Sequence, residues 1–230
     1  MKKIWIGLMA VMAIALHTEV AEAQNYVKES YCPKTKGLEL KYTNLDKEGK
    51  VVGTYISEMT ACEGSQKKGV FAFDQHFFKE NGEPLLKDNN LRMDVVISGN
   101  GPTESKMSGL NRVMKAQNLM TKGDVSTIPA ILEVGMTLPD SEIRLSIDNI
   151  SAKLITRERV VADHKTITTP AGSFDCYLLK EVQMMKTVGT QTEKLETWYA
   201  KGIGAVKQSF YNKKGELVRS MELVSLKVKP

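Results

Sequence analysis

Apolar and polar residues alternate with a period of two in several stretches of this chain. Leu38, Leu40 and Tyr42 alternate with Glu39, Lys41 and Thr43; Leu91, Met93, Val95 and Ile97 alternate with Arg92, Asp94 and Val96. Ile143, Leu145 and Ile147 repeat the pattern against Arg144, Ser146 and Asp148. A period of two sends successive side chains to opposite faces, so each stretch reads as a strand with one face on a core and one in water. Residues 70–78 and 174–182 differ, because they place apolar groups on both faces and have to be covered twice. Together these patterns predict a mainly β, single-domain fold. The expected form is an antiparallel meander bent into a strongly curved open sheet or incomplete barrel, with a closed barrel or sandwich as neighbouring solutions.

Punctuation supports hairpins. LDKEGKVV (45–52), KENGEPLL (79–86) and NKKGELVR (212–219) each set a glycine, Gly49, Gly82 or Gly215, after polar residues and between strand-like segments. Glycine takes the positive φ that a tight hairpin turn demands. Within residues 106–120 the steps Met107, Leu110, Met114 and Leu119 are helix-like and predict one short helix. Residues 125–140 follow, where Pro129, Gly135 and Pro139 forbid a long regular element, so the segment reads as an ordered connection between two regions of sheet.

The N-terminus changes the setting of this fold. Lys2 and Lys3 precede an apolar run over 4–16, and Ala21-Glu22-Ala23 stands before Gln24. That is the charge, short apolar core and small-x-small site of a secretory signal peptide over residues 1–23, leaving 24–230 as the mature domain. The run would span roughly 20 Å as a helix, short of the roughly 30 Å of a bilayer core. No later stretch has spanning length, and Gln24 instead of Cys argues against a lipid anchor. The mature chain is thus expected in the periplasm or secreted. A formal net charge of +5, scattered without long like-charged runs, speaks against nucleic acid as a partner. Three cysteines, Cys32, Cys62 and Cys176, allow three pairings. Cys32 with Cys62, flanking the first hairpin, is the preferred one and would contribute roughly 3 to 4 kcal/mol on a loop-entropy argument.

Candidate chemistry is sparse. His76 and His164 are the only histidines of the mature chain and have no ligand-spaced partner, so neither a metal nor a cofactor is expected. Cys176 with His164 is a conceivable nucleophile pair, but FDCYLLKE surrounds the thiol with strand-like apolar residues, the usual setting of a buried inert cysteine. Asp94, Asp148, Asp175, Glu181 and Glu196 lie on or beside strands and nothing selects two of them as an acid/base pair; Asp175 and Glu181 are expected to face solvent. Phe71, Phe73, Phe77 and Phe78, in a chain with 12 methionines, either fill the core or line a greasy cavity. Phe71, Phe73 and Phe78, with Trp198 and Tyr199, are the candidate ligand-binding residues.

TTPAGSFDCYLLKE (168–181) and ETWYAKGIGAVKQSFYNKKGELVRSMEL (196–223), with CPKTKGLELKYTNLDKEGKVVGT (32–54) and ILEVGMTLPD (131–140), resemble the TapB-like exported proteins of Bacteroidetes, a family of unknown function. The Trp198-Tyr199-Ala200 step before Gly202-Ile203-Gly204 is the most specific part. The resemblance implies a curved antiparallel envelope protein from a Gram-negative periplasm, and it brings no catalytic residues. The leading expectation is non-enzymatic binding of an apolar small molecule or an envelope protein. A carboxylate-dependent hydrolase of envelope or dietary polymers and a structural or adhesive module are the alternatives.

Overall fold

The computed structural model describes residues 31–32, 35–64, 69–85, 91–98, 106–109, 119–124, 126–147 and 150–229. The expected signal peptide lies outside the described residues. Among them every regular element is a strand: β1 (Leu38–Asp46), β2 (Val51–Gly64), β3 (Gly69–Lys79), β4 (Leu91–Ser98), β5 (Lys106–Gly109), β6 (Leu119–Asp124) and β7 (Thr127–Pro129). The chain continues with β8 (Thr137–Leu138), β9 (Ser141–Ile147), β10 (Ile150–Thr169), β11 (Gly172–Lys186), β12 (Thr190–Ala200), β13 (Gly204–Tyr211) and β14 (Leu217–Val228). The helix expected near 106–120 is corrected at both ends, where β5 and β6 are strands; residues 110–118 lie outside the described residues. Four apolar residues at helix-like steps were too few to outweigh tertiary pairing. β5 finds backbone partners on both sides, in β4 and β7.

All fourteen strands belong to one antiparallel sheet in the order β6-β9-β10-β11-β12-β13-β14-β1-β2-β3-β4-β5-β7, with β8 against β10. The terminal strands of this path, β6 and β7, are separated in sequence by two residues only. The sheet therefore curls until its ends face each other across a seam, yet it does not close into a barrel. Residues 126–140 of the expected 125–140 connection run as an ordered bridge between two regions of the sheet. It leaves β7, buries Ile128, Ala130 and Leu132, and docks on β10, where Gly135 N donates to Val161 O at 2.8 Å and Val161 N to Met136 O at 2.9 Å.

Inside the curl, alternation places Leu38, Leu40 and Tyr42 of β1 and Tyr55 and Met59 of β2 in the core, with Phe71, Phe73 and Phe77 of β3. Register sets Tyr42 beside Tyr55 and Tyr55 beside Phe77. Their rings stack at 5.2 and 5.0 Å, each pair worth about 0.5 to 1.5 kcal/mol beyond its buried area. The strand 174–182 is not covered on both faces along its length; its buried side switches midway, Phe174, Cys176 and Leu178 being buried on one face and Leu179 and Glu181 on the other, while Asp175 and Lys180 are exposed. Strand β3 is more one-sided, since Val70 is 41% exposed and His76 and Phe78 only half-buried.

Glu181 corrects the expectation that it faces solvent. Its side chain is 1% exposed and receives Arg159 Nε at 3.1 Å and Gln183 Nε2 at 3.1 Å. The Nη1 of Arg159 donates to Thr127 O at 3.1 Å and Pro139 O at 3.0 Å. One buried guanidinium thus ties β10 to β11, to the far-edge strand β7 and to the chain entering β9. A buried charge persists only when paired and hydrogen-bonded, and both halves of this pair meet that condition. Ser126 Oγ and Ser141 Oγ, 2.6 Å apart, add a second polar contact across the seam.

Candidate functional site

The alternating strand directions gather the loops at two ends. At one, the three glycine turns share a single hydrogen-bond pattern: Gly49 N donates to Asp46 O, Gly82 N to Lys79 O and Gly215 N to Asn212 O, at 3.0 to 3.1 Å. Gly49, Gly82 and Gly215 all hold φ between +81° and +85°, as the sequence required. Side chains complete the turns: Asp46 Oδ1 accepts from Glu48 N and Lys50 N, and Asn212 Oδ1 from Lys214 N and Glu216 N. A depression of about 490 Å³ lies between the first and third turns. Its polar walls are already engaged, because Lys47 pairs with Glu48 at 3.0 Å and Asn212 Nδ2 donates to Glu216 at 2.6 Å.

The opposite end is built differently. Pro170 and Ala171 join β10 to β11, and Lys201, Gly202 and Ile203 join β12 to β13. Gly202 and Gly204, at φ +66° and +106°, let the chain reverse with Ile203 N donating to Ala200 O at 3.1 Å. The register sets Cys176 opposite Ala200, so two of the segments that carry the family resemblance become neighbours. Between them opens a cleft of about 290 Å³ lined by Phe174, Asp175, Tyr177, Ala200, Lys201 and Ile203. Phe174, Ala200 and Ile203 are buried, giving an apolar floor, and Asp175 and Lys201 are exposed at the rim.

Beside the cleft, His164 Nε2 lies 2.9 Å from Asp175 Oδ1, and its ring stacks on Tyr177 with centroids 4.1 Å apart. Lys201 has no ion pair among the described residues. Tyr31 is fully buried with its ring edge-on to Tyr199 at 6.3 Å, and its hydroxyl lacks a hydrogen-bond partner among the described residues. Burial raises the Tyr31 pKa first, and Tyr177 and Asp175, both lining the cleft, add to the rise. Sequence reasoning missed Tyr31, which sits just beyond the expected signal peptide and in no periodic pattern.

The residues singled out in the sequence are dispersed. Phe71 and Phe73 are buried in the core on β3, and Phe78 is half-buried on the other face of the same strand. Tyr199 is buried on β12; Trp198, half-buried beside it, carries Lys165 Nζ at 4.6 Å from its ring centroid. β3 and β12 are separated in the sheet by β13, β14, β1 and β2. Cys32 is buried, and the side chain of Cys62, its expected disulfide partner, lies outside the described residues. Burial pushes the Cys176 thiol up to about 12, which disfavours the thiolate that a nucleophile needs. Asp148 and the side chain of Asp94 lie outside the described residues. Glu196 is held by Lys180 at 2.6 Å and accepts from Tyr211 Oη at 3.1 Å. Among the described residues no cluster of His, Cys, Asp and Glu suits a metal ion, and no helix is long and apolar enough to cross a membrane.

Comparison with known proteins defines the class: the chain belongs to the DUF3108-like family, whose pattern matches residues 35–223. The match encloses both segments that line the cleft. Among solved structures it is similar to a protein of Bacteroides fragilis, provisionally described as an exported protein with a YmcC-like fold. That likeness has 20% identity, a TM-score of 0.69, and coverage of 85% of this chain and 98% of the other. It is also similar to a protein of Parabacteroides distasonis, provisionally described as a lipoprotein. Here identity is 17%, the TM-score 0.71, and coverage 86% and 98%. No curated protein sequence matches the chain.

Proposed function

We propose that this DUF3108-like chain is an exported binding protein of the bacterial envelope that works through the open cleft between β11 and the β12–β13 turn. The observation that carries the reading is the combination there of a buried apolar floor with a lysine that has no ion pair among the described residues. Ligand sites typically join apolar lining to a few placed polar groups, and this cleft does so at a volume just under the usual size range. The interior of the curl is occupied by its own rings, including Tyr42, Tyr55, Phe71, Phe73 and Phe77, which favours a surface cleft over an internal chamber. Export is supported by the N-terminal pattern, by the TapB-like resemblance and by the envelope descriptions of the two structural neighbours.

Native mass spectrometry of the protein released gently from producing cells tests this reading. The expected result is an added mass that denaturation removes and that Ile203→Glu, which puts a charge on the apolar floor, abolishes while circular dichroism stays unchanged. An adduct that survives Ile203→Glu would place binding elsewhere and reject the cleft.

A further inference from the structure

We infer that the segment 24–30 folds back over this cleft and closes it, so that an external ligand has to displace part of the protein's own chain; this rests on the binding reading above and names what regulates the same site. Residues 24–30 lie outside the described residues, and the place where they join the fold carries the argument. Tyr31 and Cys32, which follow directly, are fully buried and belong to the same core cluster as Phe174, Ala200 and Ile203 of the floor. The Tyr31 ring lies 6.3 Å from that of Tyr199. Tyr199 in turn stands opposite Tyr177 in register and next to Ala200 in the chain, and both of those line the cleft. The segment is therefore tethered within one strand of the lining.

Reach selects the cleft over the larger depression between the glycine turns. Residues 24–30 extend roughly 25 Å at about 3.5 Å each, whereas β12 alone runs 11 residues, roughly 36 Å, to the opposite end. A tethered segment meets a nearby site at an effective concentration of millimolar order, so weak contacts suffice to seat it. In QNYVKES (24–30), an extended approach sends Val27 and Glu29 to the side of the anchored Tyr31, and Tyr26 and Lys28 to the other. Val27 then covers the floor of Phe174, Ala200 and Ile203, where leaving water is favourable in proportion to area. Glu29 meets the ammonium of Lys201, which is exposed at the rim and has no ion pair among the described residues. A cleft of about 290 Å³ lies just under the usual range of small-molecule sites and suits a single side chain with its backbone.

The test compares the exported protein with its Val27→Ser and Tyr26→Ser variants, by backbone amide shifts in two-dimensional NMR and by native mass spectrometry. Val27→Ser is expected to move the amides of Phe174, Tyr177, Lys201 and Ile203, to lower the closed population about tenfold, and to raise the fraction of protein that carries the natural adduct. Tyr26→Ser should leave those amides in place. A synthetic QNYVKES peptide added to the Val27→Ser protein should return them saturably toward their original positions, and the same peptide carrying Val27→Ser should not. Glu29→Lys and Lys201→Glu should each open the cleft about twofold to fivefold, and the two together should close it again. Unmoved cleft amides in Val27→Ser, an equal effect of Tyr26→Ser, or a charge swap that opens the cleft further would each overturn the inference. If the amides stay in place while Ile203→Glu removes the natural adduct, the cleft binds its ligand but the segment does not close it. If Val27→Ser moves them while Ile203→Glu leaves that adduct in place, the closure stands and the binding reading is wrong.

Discussion

The two ends of this curled sheet solve the same problem, reversing an antiparallel chain, with different side chains around their turns. At the glycine-turn end Asp46 and Asn212 hold backbone amides, and Lys47, Lys50 and Lys79 pair with Glu48, Glu80 and Glu83. At the other end apolar side chains floor an open cleft and the Tyr31 hydroxyl has no partner among the described residues, while Lys201 there, like Lys213 and Lys214 at the first end, has no ion pair among them. Sequences that specify one fold satisfy local rules nearly everywhere and break them mainly where function asks for it. The larger depression, about 490 Å³ between the turns, is thus the weaker candidate, because its walls have already satisfied one another. Size alone would choose the end whose walls are already paired.

The strongest way to break the contrast is to remove what holds both ends on one sheet. Arg159→Leu leaves Glu181 charged and buried, and should cost about 3 to 5 kcal/mol in urea unfolding, with turn and cleft lost together. A smaller loss, with only one end melting, would show that the seam is not the common support.

High pH sharpens the account next. Cys176 is pushed up to about 12, and Tyr31, Tyr42, Tyr55 and Tyr199 are all raised, in each case mainly by burial. A folded-state pKa above the unfolded one contributes stability that is complete below the unfolded pKa. That stability declines as the pH passes the unfolded thiol and phenol, about 8.5 and 10, and it is gone above the folded values. Tyrosinate absorbance should therefore appear together with loss of near-ultraviolet dichroism, starting above pH 9. Ordinary titration near pH 10 in an intact fold would contradict the burial.

Smaller effects separate the ends themselves. Gly49→Ala or Gly215→Ala, where an added methyl meets nothing but the backbone stays at positive φ, should cost about 1 to 2 kcal/mol and leave ligand binding untouched. Tyr31→Phe should move stability by no more than about 0.5 kcal/mol, or raise it slightly, because the hydroxyl it removes is unsatisfied. A marked destabilisation by Tyr31→Phe would reveal a structural bond and weaken the contrast.

How far the chain could be read from its sequence follows the same division. Gly49, Gly82 and Gly215 were legible because a tight turn restricts the residue that can occupy it, and Leu38, Leu40 and Tyr42 because strand alternation is local. Arg159 and Glu181 were not legible: their pairing depends on β10, where the register slips between Arg157 and Val160 and Glu158 takes φ +54°. Nothing local marks a glutamate on β11 as the partner of that arginine. The segments 170–177 and 198–203 stood out through family resemblance, but only the pairing of Cys176 with Ala200 shows that they form one cleft. Strand β5 was misread as helix because Met107 lies at positions compatible with either period, and its partners β4 and β7 are not adjacent to it in pattern.

The most direct test of the difference between the ends is to place a photo-crosslinking amino acid at Lys201 in one sample and at Lys214 in another, and to irradiate producing cells. Both positions are exposed, one in the β12–β13 turn and the other in a glycine turn. The account predicts a discrete adduct from position 201 and none from 214. An adduct from 214 alone, or equal adducts from both, would contradict the assignment of function to the cleft end.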